Sequence, residues 1–81
     1  MQMAIDYYEE VPTIIDSLER EGLTSEADAV REVMAAGATA TEILMGVRWQ
    51  LQQIERANKT ANVVTKRRIR ELLQELNKVL S

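Results

Sequence analysis

The chain has 81 residues, with 10 basic and 13 acidic side chains, a formal net charge of −3, and neither histidine nor cysteine. Those absences exclude Cys/His zinc sites, Ser-His-Asp and Cys-His nucleophile pairs, disulfide frameworks and thiol-linked haem. They also remove the side chain that ordinarily titrates between about pH 5 and 8. A hydrophobic fraction of 46% suits a globular chain, and the length reads as one domain, residues 1–81, near the lower limit for a self-sufficient core.

In chain order, Ile5, Tyr8, Val11, Ile15 and Leu18 recur at spacings of three and four, a helical stripe. Pro12 interrupts it, because proline lacks an amide hydrogen and its ring clashes with the carbonyl four residues back. We therefore expect a short or kinked N-terminal piece and a helix over about residues 12–21. Gly22 ends that helix as a left-handed cap. Thr24 or Ser25 is the expected cap of a second helix, 25–36, with Ala27, Val30, Val33 and Met34 as its stripe and Gly37 at its end. Thr39 with Glu42 three residues on forms a capping box and opens a third helix, 39–57. Its inward residues are Ala40, Ile43, Leu44, Val47, Leu51 and Ile54. The aperiodic stretch 58–65 reads as a connection. Thr65 is the expected cap of the last helix, 65–80, with Val64 and Ile69 as a hydrophobic staple and Ile69, Leu72, Leu73 and Leu76 as its stripe. Strand signals are missing. The expected fold is all-α, a small three- to four-helix bundle.

Charge is divided along the chain. Residues 1–42 carry ten acids and two bases, a net of −8; residues 43–81 carry three acids and eight bases, a net of +5. The acids Asp16, Glu19, Glu21, Asp28 and Glu32 form a candidate surface for a basic partner protein, or else a solvated face paired across the bundle. On the third helix, Met45, Trp49, Gln52 and Arg56 lie opposite the apolar stripe. Trp, Met and Arg are enriched at interface cores, so this second face is a candidate contact surface. The alternative is burial of Trp49 under the Tyr7–Tyr8 segment. Lys66, Arg67, Arg68 and Arg70 oppose the macrodipole at the start of the last helix and form a candidate contact for phosphates or an acidic partner. Otherwise they pair within the fold, with Arg67–Glu71 in register. Val33, Gly37 and Ile43 fit a helix-turn-helix, but the would-be recognition helix begins Thr39-Ala40-Thr41-Glu42 and has no base before Arg48.

No calcium-loop spacing or glycine-rich phosphate loop is present, and no catalytic, metal or cofactor residues are assigned. No apolar run approaches the roughly 20 residues of a membrane span. The N-terminus lacks the basic region of a secretory signal. Membrane and small-molecule partners are not expected, and the expected location is cytoplasmic. The functional expectation is a non-enzymatic, acidic, antidote- or adaptor-like protein that self-associates or binds a partner protein. The rival is a nucleic-acid-binding helix-turn-helix-like regulator using residues 66–70, which overall acidity disfavours. A third reading is a subunit of a larger helical assembly.

Overall fold

A computed structural model describes residues 6–37 and 39–80. Four helices follow one another: α1 (Tyr7–Arg20), α2 (Thr24–Ala36), α3 (Ala40–Arg56) and α4 (Val63–Leu80). Each packs against its chain neighbour, and α4 closes the ring on α1, so that α1 and α3, and α2 and α4, stand at the diagonals. The pairings run in opposite directions. Glu19 reaches Arg31 across α1–α2, Val33 meets Gly46 across α2–α3, and Glu55 meets Arg70 across α3–α4. The result is an up-and-down four-helix bundle, as the short connections require.

The core lies on the shared axis. Val11, Ile14, Ile15 and Leu18 come from α1, Ala27 and Val30 from α2, Leu44, Val47, Leu51 and Ile54 from α3, and Ile69, Leu72, Leu73 and Leu76 from α4. With no aromatic ring among them, close approach supplies the packing. At Gly46 an added Cβ would stand 2.5 Å from Val33 Cγ1, so the missing side chain lets α2 and α3 close together.

Several helix ends differ from expectation. α1 starts five residues before Pro12, because Asp6 caps it. Its carboxylate accepts from the Tyr8 amide at 3.0 Å, its carbonyl accepts from Glu9 and Glu10, and those two acids favour the positive helix end. Pro12 then falls on the exposed side of the early helix. Pro12 has no amide hydrogen to give the Tyr8 carbonyl its usual intrahelical bond. Tyr8 is 68% exposed and stacks on Tyr7 with ring centroids 4.4 Å apart, so the buried stripe of α1 includes Ile14 and leaves Tyr8 out. Ile5 lies outside the described residues.

Gly22 ends α1 as expected, at φ +82°. The Gly22 amide bonds to Glu19 O and the Leu23 amide to Leu18 O, a Schellman motif. Leu23 packs on the core as the apolar residue of that motif, so α2 starts directly after it, with Leu23 at the N-cap and no side-chain cap. Neither Thr24 nor Ser25 fills that role. Thr39 does cap α3, accepting from the Glu42 amide at 3.1 Å. Asn58, at φ +51°, repeats the Schellman pattern after α3, with Asn58 N–H bonded to Glu55 O and Lys59 N–H to Ile54 O. α4 begins two residues before Thr65 because Asn62 Oδ1 accepts from Val64 and Thr65 at 2.9 and 3.1 Å. Thr65 turns inward and is buried. Val64 stays about half exposed and makes no staple.

Candidate functional site

α3 has two unlike sides. One supplies Leu44, Val47, Leu51 and Ile54 to the core, none more than 6% exposed. The opposite side carries Met45, Trp49, Gln52 and Arg56 at spacings of four, three and four, one straight row. Met45 is 50% and Trp49 57% exposed. Tyr7 and Tyr8 stack on each other, and the groove containing Trp49 is lined by other residues. Trp49 thus stands in solvent on an element rigidly held from behind.

Beside Trp49 runs a shallow groove between α2 and α3. Ser25 and Ala29 form its α2 wall, Trp49, Gln50 and Gln53 its α3 wall, and the Glu26–Lys59 ion pair, at 3.0 Å, closes one end. That Lys59 hydrogen bond is the chief reason the Glu26 carboxyl titrates below its ordinary value. Ser25, Ala29, Glu32 and Ala36 recur at the same four-three-four spacing as the row on α3. Small residues therefore lie beside large ones. In the sequence the cap-like Ser25 masks this part of the surface, and the four-three-four spacing of Ser25, Ala29, Glu32 and Ala36 is the signal that reveals it.

The predicted acidic residues divide into two groups. Asp16, Glu19, Asp28 and Glu32 are exposed. Asp16 and Glu19 line a cleft between α1 and α2 with Arg31 and Met34. Arg31 bonds to Glu19 at 2.8 Å and Asp28 at 2.7 Å, and Arg20 pairs with Asp16. The acid cleft and the Trp49 groove thus lie on opposite flanks of α2.

Glu21 is engaged inside the fold. Its carboxylate accepts from the Thr60 hydroxyl at 2.7 and 2.6 Å, from the Ala61 amide at 3.0 Å and from the Asn62 amide at 3.4 Å. It joins the end of α1 to the α3–α4 connection and the positive start of α4. Desolvation alone would push its carboxyl up; the bonds from Thr60, the two amides and Thr65 outweigh that and hold it below the ordinary value.

The basic run is divided among three directions. Arg68 bonds to Glu10 at 3.1 Å and Arg70 to Glu55 at 3.6 Å. Lys66 and Arg67 form no ion pair within 4.0 Å among the described residues, and the expected Arg67–Glu71 pair is not made. Acidic α1 and basic α4 therefore cancel part of each other's charge within the bundle.

Among the described residues no group of three or more carboxylates is placed to hold a metal ion, and no helix is long and apolar enough to cross a membrane. The chain matches no protein-family model, no curated protein and no solved structure.

Proposed function

We propose that the chain is a non-enzymatic protein–protein interaction module, of the acidic antidote or adaptor kind, whose contact surface is the outer row of α3. One observation carries the reading: Met45 and Trp49 lie adjacent and half exposed on a helix whose other side is fully buried. A tryptophan held on a rigid helix is the type of residue that dominates binding energy at interface centres. Asp16, Glu19 and Asp28 are exposed but paired with Arg20 and Arg31, so it is the chain's net charge of −3, with Glu32 exposed and without an ion pair among the described residues, that favours a basic partner. A cysteine-free chain suits a reducing compartment, and we place its work in the cytoplasm.

The nucleic-acid reading draws less support, because two of the four basic side chains at 66–70 are engaged by carboxylates. Moreover, α2 and α3 lie side by side as a hairpin, whereas a helix-turn-helix crosses at about 90–120°. The deciding test places a photo-activated cross-linking side chain at position 45 in cells, with position 74 on the exposed side of α4 as control. We expect a protein adduct from position 45 and none from position 74. No adduct from position 45, or equal adducts from both, refutes the reading.

A further inference from the structure

We infer that the segment docking on the α2–α3 face is a basic amphipathic helix of the partner protein, with an arginine held between the Trp49 ring and the Glu32 carboxylate. The inference rests on the interaction-surface reading and gives the chemistry of what fills that surface. Chain geometry brings the two groups to one place. Val33 meets Gly46 where α2 and α3 run antiparallel, so Glu32 lies level with Val47. Met45 and Trp49 stand two residues to either side of that level, about 3 Å along the axis each way. Contact through a glycine keeps the two helix axes within the ordinary separation of about 8–10 Å, so one long side chain reaches both groups. Glu32 and Trp49 are both exposed. An aromatic face across a groove from a carboxylate suits a guanidinium, which stacks its plane on the ring and donates paired hydrogen bonds to the acid.

Charge fixes the sign of the occupant at this place, independently of the chain's total. Glu32 has no ion pair within 4.0 Å among the described residues, and Glu42 sets a second acid on the α3 row one turn before Met45. The charges bordering the groove, Glu26 and Lys59, neutralise each other at 3.0 Å. The bases of α3 lie elsewhere. Arg48 shares the stripe of Glu55, which faces α4, and Arg56 lies nine residues beyond the level of Glu32, roughly 14 Å along the axis. Nucleic acid is repelled where a cationic helix is attracted. A helix is also the form that fits. The α2 row of Ser25, Ala29 and Ala36 is small, so a third axis can settle along the groove beside Trp49. Apolar side chains at three- and four-residue spacing then meet Met45, Trp49 and Ala29, with the arginine one turn away.

The test extends the cross-link from position 45. The attached segment is identified by mass spectrometry, synthesised as a peptide and titrated calorimetrically into the full chain in about 0.15 M salt, where charges more than ~8 Å apart are largely screened. We expect a segment of net positive charge, with apolar residues at three- and four-residue spacing and at least one arginine. Glu32→Lys should weaken its binding about tenfold or more, as loss of a close charge pair does, and so should Trp49→Ala. Glu71→Lys makes the same change of net charge on exposed α4 and should stay within about twofold of the wild type. Each variant is checked for helicity by circular dichroism. A neutral or acidic segment, a basic peptide that does not bind, undiminished binding to Glu32→Lys or Trp49→Ala, or equal losses from Glu32→Lys and Glu71→Lys overturns the inference. In each of those cases the adduct from position 45 leaves the interaction surface standing. No adduct from position 45 removes both.

Discussion

Replacing Glu21 by glutamine isolates one carboxylate's contribution without changing its shape. The variant keeps one oxygen for the Thr60 hydroxyl and the Ala61 amide but loses the negative charge facing them and the start of α4. Hydrogen bonds to a charged group are about twice as strong as neutral ones, and a charge at a helix end adds roughly 0.3–1 kcal/mol. Discounted for partial exposure, the loss comes to about 1–2 kcal/mol at pH 7. For a domain of this size each kcal/mol moves Tm by about 4–8 °C, so thermal melts followed at 222 nm should separate the two proteins by roughly 5–15 °C. The pH dependence carries the sign. The folded Glu21 pKa is depressed, so its contribution is complete above the unfolded value near 4.5 and is lost as the pH falls through the folded value. The gap between wild type and Glu21→Gln should therefore be full at pH 7, shrink below about pH 4.5, and close once Glu21 is protonated in the folded state too. Equal melting at pH 7, or a gap that does not change with pH, would refute the account of Glu21 as an ionised clasp.

Other perturbations test the packing. Gly46→Ala should destabilise by about 1–2 kcal/mol in urea titration although alanine is the better helix former, because the new methyl meets Val33. A gain in stability would mean that α2 and α3 can separate freely. Leu51→Ala, at a fully buried position, should lose about 2–5 kcal/mol, read as a lower urea midpoint with unchanged slope. Pro12→Ala should raise stability by about 1 kcal/mol or more, since it returns the amide that would bond to Tyr8 O and removes the ring from the helix interior. A loss there would show that the fixed φ of proline matters more, through the unfolded chain.

The class of fold and most of the core were legible in the sequence because period and capping agree with tertiary packing in α3. Thr39 caps it, and Leu44, Val47, Leu51 and Ile54 are buried together. The ends of α1 and α4 were not, for a shared reason. Each is set by a residue whose cap could be recognised only against a louder local signal: Asp6 against Pro12, and Asn62 against Thr65. The α2 start was hidden differently, since Leu23 serves the preceding helix's Schellman turn and thereby fixes the next helix. At the candidate site, sequence identified the Met45–Trp49 row but not its exposure, which follows from α1 packing on α2 and α4 and leaving the outer side of α3 uncovered. The charge division was visible, but which acids it uses internally was not. Nothing local in Glu21 distinguishes it from Glu19; only the approach of residues 60–62, some forty positions away, makes one a clasp and leaves the other at the surface.

The placement of Trp49 has a spectroscopic consequence. It is the only tryptophan in the chain and it is already largely in water in the folded chain. Unfolding therefore changes its surroundings little, and its emission should lie near the red, hydrated limit in both states. Covering the ring at an interface would shift that emission to the blue and slow its quenching by iodide. The intrinsic fluorescence of this protein is thus nearly silent on folding and sensitive to what docks on α3, so a blue shift on adding the partner reports binding without any attached label.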